Sequence, residues 1–148
     1  MNRIPFPAIA GFGAIVLVAL LAPLLPLPNP VAMDVAHRLA GASAGHWLGQ
    51  DEFGRDVLTR LIWGARVSLT VAFSASAIAC VVGVALGVLG GFLRGIVEMV
   101  TLRAIDVLLC FPPLLLALLV VTLAGPGATT LIPVLALVYV PGLTSVAY

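Results

Sequence analysis

"VSLTVAFSASAIACVVGVALGVLGGFL", residues 67–93, is a run of 27 residues without one charged side chain. At about 1.5 Å per residue a helix of this length reaches roughly 40 Å, whereas a bilayer core is roughly 30 Å thick. The whole chain suits that environment, because it is 62% hydrophobic and 9% charged, and about a quarter of the residues in a soluble domain are charged. The sequence therefore predicts an all-α membrane protein.

Two further stretches carry no charge, Ile4 to Met33 and Val107 to Tyr148. The second has 42 residues, which is too long for one span of about 20 residues. "GPGATT", residues 125–130, predicts a break inside it, because Gly-Pro-Gly favours a turn. We therefore expect about four transmembrane helices, near residues 8–27, 67–92, 106–124 and 131–148.

The first apolar run has a second interpretation, a secretory signal peptide, because Arg3 precedes it. The run exceeds the roughly 7–15 apolar residues of a signal peptide, and no small-x-small cleavage site precedes the prolines at 23, 26, 28 and 30. We favour a retained helix that ends among these prolines.

Residue types argue against catalysis in this chain. It has no lysine, so it does not contain the G-x-x-x-x-G-K-[ST] phosphate loop. Cys80 and Cys110 lack C-x-x-C spacing and are interpreted as small core residues. His37 and His46 have no second ligand at metal-like spacing and are interpreted as surface residues. The sequence therefore predicts no catalytic residue, no cofactor and no metal.

Small residues recur at every fourth position of the second predicted helix. Such spacing lets two membrane helices approach closely, and it predicts a buried helix interface. The alternative is that glycine and alanine are simply frequent in membrane helices, and the pattern does not identify the partner helix. The residues assigned to helix packing are Ala79, Gly83, Gly87 and Gly91, with Ala75 and Gly95 at the two ends.

The charged stretch "DEFGRDVLTRLIWGAR", residues 51–66, precedes the long apolar run. Phe53, Val57 and Leu61 at i, i+4 and i+8 predict the apolar stripe of a short amphipathic helix.

Charged side chains in this stretch also predict local contacts. We expect Asp51 to cap the start of the short helix and Asp56 to pair with Arg60 at i+4. Trp63 and Arg66 stand where an interfacial anchor is expected.

The residues around this helix carry a family resemblance. "HWLGQDEFGRDVLTRLIWGARVSL", residues 46–69, resembles the H-x-L-G-T-D-E-x-G-R-D-x-x-S-R-x-x-x-G-A-R-x-S-L signature of the C-type inner-membrane permease subunits of dipeptide, oligopeptide and nickel ABC importers. "RAIDVLLCFPPLLLALLVVTLAGPG", residues 103–127, resembles a second segment of that family, and "VYVPG", residues 138–142, a third. The motif residues taken from the first segment are Gly49, Asp51, Glu52, Gly54, Arg55, Asp56, Arg60, Gly64 and Arg66.

The resemblance implies the N-terminal part of the importer-type (MetI-like) ABC permease fold. Residues 1–66 would form an N-terminal transmembrane helix, an extracytoplasmic segment and the amphipathic helix. Residues 67–148 would form the first, incomplete part of the permease transmembrane domain.

The resemblance also implies partners and a location. This chain would form half of the translocation path in the lipid bilayer, as a heterodimer with a second permease. Two cytoplasmic ATPase subunits would drive transport and an extracytoplasmic substrate-binding protein would deliver cargo, with no nucleic acid involved. The location implied is the bacterial inner membrane with the N-terminus in the cytoplasm, although the distribution of arginines does not favour this orientation.

Between the second and third predicted helices, Glu98, Arg103 and Asp106 fall within about 140° of arc on one helix. With Arg94 they are interpreted as a cytoplasmic elbow near the ATPases or the pore. An ordinary solvated helix end with an Arg103–Asp106 pair is an equal alternative. Pro112 and Pro113, further along, are expected to kink the third span.

A second functional interpretation is a truncated accessory or scaffold protein of permease ancestry that does not transport. Permeases of this family carry an E-A-A-x-x-x-G ATPase-docking segment after the fourth span, and the sequence reaches Tyr148 without one. On this basis we expect a fragment or a truncated product. The motifs do not select one substrate.

Overall fold

The computed structural model describes residues 6–93 and 95–148, most of which are helical. The all-α membrane class predicted from the sequence is confirmed. Contacts divide the chain into two units, Met1–Leu69 and Thr70–Tyr148. In chain order the α-helices are α1 (Phe6–Leu21), α2 (Val57–Phe92), α3 (Ile96–Cys110), α4 (Pro113–Ala124) and α5 (Ala128–Ala147).

Helix α1 ends earlier than the predicted span near residues 8–27. After Leu21 the chain tightens into a 3₁₀ turn, Ala22–Leu24, which has Pro23 in its first turn. A proline has no N–H to continue the helical hydrogen-bond pattern, so the proline-rich segment that follows leaves the helix. The α-helix thus ends just before the prolines, whereas the sequence predicts an end among them.

Helix α2 is one continuous helix of 36 residues. The separate amphipathic helix that we expected from about Asp51 is therefore wrong. Phe53 lies in a turn before the helix, and residues 57–66 form the first turns of the long helix itself. At about 1.5 Å per residue α2 is roughly 54 Å long, so it extends well beyond a bilayer core of roughly 30 Å.

The third predicted span, near residues 106–124, is not one helix. Helix α3 ends at Cys110 and α4 begins at Pro113, and the chain bends by 80° between the two helices. Phe111 and Pro112 between them have extended backbone, with ψ of 125° and 123°. Each residue before a proline is pushed away from helical backbone angles, so two successive prolines break the helix where one would bend it. The expected kink is thus a full break.

The break predicted at Gly-Pro-Gly is confirmed, because α4 ends at Ala124 and α5 begins at Ala128. Helix α5 contacts α3 and α4 and continues through two internal prolines. By length and composition, three of the described helices are able to cross a membrane, or four spans result if α3 and α4 together form one.

The core of the second unit lies between α2 and α5. It consists of Ala75 and Ala79 on α2 and of Ala136 and Val140 on α5. Both alanines of α2 are fully buried. Close backbone approach, which small side chains permit, is the usual basis of packing between membrane helices.

Candidate functional site

The motif residues before α2 fold into a compact polar turn, which we call the polar clasp (residues 46–60). Gln50 and Asp56 face each other in an isolated antiparallel bridge. The backbone N–H of Val57 donates to the carbonyl of Gly49 at 3.1 Å, and the Gln50 side chain donates to the carbonyl of Gly54 at 2.9 Å. These bonds bring the two ends of the motif together at the start of α2.

Asp51 is the centre of the polar clasp. Its Oδ1 accepts the backbone N–H groups of Phe53 at 2.8 Å and of Arg55 at 2.9 Å. Its Oδ2 accepts two nitrogens of the Arg55 guanidinium, each at 2.8 Å, and also the guanidinium of Arg60. The Arg55 guanidinium lies 4.5 Å from the centre of the Phe53 ring, a cation–π distance. One carboxylate thus closes the turn and fixes both arginines.

These contacts determine the ionisation of Asp51. Desolvation acts to raise the pKa of this carboxyl, but hydrogen bonds from Arg55, Phe53 and Arg60 outweigh it and hold the pKa well below its usual range.

Asp56 caps α2. Its Oδ2 accepts the backbone N–H of Thr59 at 2.7 Å, and its Oδ1 lies 3.0 Å from Nδ1 of His46. The Asp56 side chain is 5% exposed. Burial acts to raise the pKa of Asp56, but the hydrogen bonds from Thr59 and His46 outweigh it, and the pKa is lowered. An aspartate that accepts the third N–H of a helix is a standard N-cap.

The partners predicted from the sequence for these two carboxylates are wrong. Asp51, not Asp56, pairs with Arg60, and Asp56, not Asp51, caps the helix. The error follows from the helix start, because a helix that begins at Val57 turns Asp56 back toward its own N–H groups. His46, which was interpreted as a surface residue, is partly exposed, and its inner edge lies against Asp56. The sequence offered one signal for this contact, because His46 is the histidine of the family signature.

Two glycines of the motif are required by the backbone. Gly49 and Gly54 have φ of +74° and +73°, in the left-handed region that favours glycine. A Cβ at Gly54 would lie 1.8 Å from the carbonyl oxygen of Asp34, and one at Gly49 would lie 2.6 Å from that of Ala40. Any side chain at either position would therefore push the neighbouring loop away.

The other motif residues lie at the edge of the polar clasp. Glu52 is exposed in the turn, and Gly64 on α2 has open space around it. The Arg66 guanidinium lies 5.5 Å from the centre of the Trp63 ring. This stacked pair is of the kind found where a helix enters a membrane.

The glycines assigned to helix packing face α5. A Cβ at Gly83 would lie 2.8 Å from Cβ of Leu143, and one at Gly87 would lie 2.7 Å from the carbonyl oxygen of Thr144 and 2.8 Å from Cβ of Ala147. Both glycines are buried. The partner helix that the sequence did not identify is α5 of the same chain.

The ladder becomes less buried toward its C-terminal end. Gly91 is exposed, although a Cβ there would lie 3.3 Å from the carbonyl oxygen of Tyr148. Gly90, which the sequence analysis did not select, is buried beside Thr101 of α3.

The elbow residues are only partly brought together. Arg94 lies outside the described residues. Glu98, Arg103 and Asp106 lie on α3 and line one shallow concavity. Within the described part of the chain no ion pair joins Arg103 to Asp106, and Glu98 accepts a hydrogen bond from the hydroxyl of Tyr148.

The geometry indicates positioning rather than chemistry at the polar clasp. Both oxygens of Asp51 and both oxygens of Asp56 already accept hydrogen bonds from the chain's own donors. Such carboxylates hold a loop against a helix. Much of their capacity to accept hydrogen bonds is used within the chain and is not available to a cargo molecule or an ion.

No family model matches the chain, but curated proteins do. It is 36% identical over 140 residues, 95% of its length, to the dipeptide transport system permease protein DppC of Alkalihalophilus pseudofirmus. It is 34% identical over 131 residues, 84% of its length, to the nickel transport system permease protein NikC of Escherichia coli. It is 41% identical over 103 residues, 70% of its length, to the di/tripeptide permease protein DppC of Pseudomonas aeruginosa. These matches cover 46%, 47% and 34% of the relatives, so the chain spans at most about half of their length.

Proposed function

Because this chain belongs to the permease family of peptide and nickel ABC importers, we propose that it is a membrane-spanning subunit of such an importer. In this role it forms half of the path through the bilayer, and its cargo is a small peptide or nickel. The observation that carries the proposal is the 36% identity to a dipeptide permease protein over 95% of the chain. Hydrolysis of ATP belongs to separate subunits in this proposal.

The packing of the second unit supports a moving part in such a machine. The α2–α5 contact at Gly83 and Gly87 is close enough for the two helices to move as one body. The break at Phe111 and Pro112 gives the chain a joint between α3 and α4. Alternating access requires rigid blocks that repack around a few joints, and the energy for repacking comes from partners that bind the two states differently.

We place the chain in the bacterial inner membrane with the N-terminus in the cytoplasm. The polar clasp is then extracytoplasmic, where a substrate-binding protein approaches. The elbow residues Glu98, Arg103 and Asp106 are cytoplasmic, on the side of two ATPase subunits. A second permease subunit completes the path.

Uptake in cells tests the proposed activity. The gene that encodes this chain is deleted, and accumulation of a radiolabelled dipeptide and of radioactive nickel is measured with and without a plasmid copy. We expect uptake of one of the two cargoes to fall and to return on complementation. The strain used for the test has its other peptide and nickel importers removed. Unchanged uptake of both cargoes after deletion of this gene would contradict the proposal.

Cysteine labelling tests the orientation. Cys80 and Cys110 are replaced by serine, and single cysteines are introduced at Ala42 and Ile96, both of which are exposed. In intact spheroplasts an impermeant maleimide should label Ala42→Cys and should reach Ile96→Cys only after the membrane is opened. The reverse order would place the N-terminus outside.

A further inference from the structure

The first unit contains a cavity of about 460 Å³ beside the polar clasp. This volume lies in the range of roughly 300–1,000 Å³ that small-molecule sites occupy. Its walls come from the segment after α1, from the two residues before the polar clasp, from the polar clasp itself and from the first turns of α2. The residues that define it are Pro26, Pro28, Trp47, Asp56, Leu58 and Ile62.

The wall is suited to an apolar occupant. Asp56 is the ionisable group among the lining residues, and its two oxygens already accept hydrogen bonds from His46 and from the backbone of Thr59. The carboxylate is therefore compensated within the protein and does not require a cation from outside. The side chains of the other lining residues are aliphatic, prolyl or indole.

The lining residues stand at the C-terminal end of the first candidate span and at the N-terminal end of α2. The apolar window of the first candidate span ends at Leu24, and the lining segment begins one residue later. Leu58 and Ile62 on α2 precede the charge-free run by less than three helical turns. Beside the cavity Trp47 is 73% exposed, and exposed tryptophan is characteristic of the interfacial layer of membranes.

Large apolar side chains next to the lining residues in the sequence are exposed. Leu24 is 80% exposed and Leu61 is 62% exposed in the same unit. Apolar surface of this extent, next to membrane spans, is stable only against lipid or against another apolar surface. The sequence from Ile4 to Met33, which includes α1 and the first lining segment, contains no charged residue.

We propose that this cavity binds the upper part of a phospholipid acyl chain, with the Trp47 ring against the chain. The inference needs only membrane insertion and does not depend on the cargo or on the ATPases. The bound lipid fills the space between the end of α1 and the start of α2 and seats the polar clasp on the membrane surface.

Tryptophan quenching by lipid tests the proposal, because this sequence has two tryptophans. The variant Trp63→Phe leaves Trp47 as the reporter and changes no lining residue. The purified variant is placed in vesicles of phosphatidylcholine or of phosphatidylcholine brominated at acyl carbons six and seven. We expect the bromolipid to lower Trp47 fluorescence roughly two-fold, since bromine quenches a ring that it contacts. Fluorescence quenched by aqueous iodide but not by bromolipid would overturn the proposal.

A cavity-filling variant separates a bound chain from a ring that merely rests on the membrane. Ala44 lines the cavity and Ala42, two residues earlier, does not. In the Trp63→Phe background, Ala44→Leu should remove most of the bromolipid quenching, whereas Ala42→Leu should leave it unchanged. Equal quenching in both variants would contradict occupancy of the cavity, and the result with Trp63→Phe alone stands even if Ala44→Leu fails to fold.

Discussion

His46 and Asp56 are joined by a hydrogen bond of 3.0 Å that ties the loop of the polar clasp to the capped first turn of α2. The same carboxylate accepts the N–H of Thr59, so the loop and the helix share one buried acid. Both residues stand at positions of the family signature, ten residues apart.

The cap should be measurable in the exchange of backbone amides. Asp56→Ala removes the acceptor for Thr59 and the partner of His46, and loss of an N-cap costs about 1 kcal/mol. We expect hydrogen exchange of the first-turn amides of α2 to accelerate about five-fold. Glu52→Ala, which removes an exposed acid four residues earlier, is the control and should leave these amides unchanged. Equal acceleration in both variants would contradict the cap.

The polar clasp should weaken in acid. The folded state lowers the pKa of Asp51 and of Asp56, so both groups stabilise it above the unfolded pKa of about 3.9. That stability is lost as the pH falls from about 4 through the lowered folded pKa values. Protection factors of residues 53–59 should therefore be constant from pH 7 to about 5 and decline below pH 4. The double variant Asp51→Asn/Asp56→Asn should lose this decline.

The close contact between α2 and α5 predicts a large difference between two adjacent substitutions. Gly87→Leu forces a side chain into the Thr144 carbonyl and the Ala147 side chain, and overpacking typically costs about 1–3 kcal/mol. Val88→Leu adds one methylene group to a side chain that is 53% exposed. We expect Gly87→Leu to lower the midpoint of thermal unfolding in detergent and Val88→Leu to leave it nearly unchanged. The midpoint is measured by size-exclusion chromatography of samples heated to increasing temperatures. Similar midpoints would argue against this interface.

The break between α3 and α4 is testable by a distance. Spin labels at Met99 and Leu123, both exposed, would be roughly 36 Å apart on one straight helix. The 80° bend shortens this distance by roughly 8 Å. Replacing Pro112 and Pro113 by alanine should lengthen it toward the straight value, in a background without Cys80 and Cys110. Equal distances in the two proteins would show that the prolines do not cause the break.

The sequence predicts the membrane class because charge-free runs must match bilayer thickness, a constraint that local contacts do not modify. It also predicts the small-residue face of α2, because residues four positions apart lie on one face of a helix. It does not predict that α3 and α4 are separate helices, because the effect of two adjacent prolines depends on whether tertiary contacts accept a bend or a break.

The polar clasp shows a different limit. An i+4 rule paired Asp56 with Arg60, but that rule applies only inside a helix, and Asp56 precedes the helix. The left-handed conformations of Gly49 and Gly54 reverse the chain so that Asp51 reaches an arginine nine residues away. Contacts made by such a turn follow from its backbone path and not from residue spacing.

The subunit composition of the complex around this chain tests the central claim most directly. The affinity-tagged gene product is purified from native membranes in a mild detergent, and copurifying proteins are quantified by mass spectrometry. We predict one second permease subunit and two ATPase subunits for each copy of this chain. Purification of the chain alone, while those permease and ATPase subunits assemble without it, would contradict its assignment as half of the transport path.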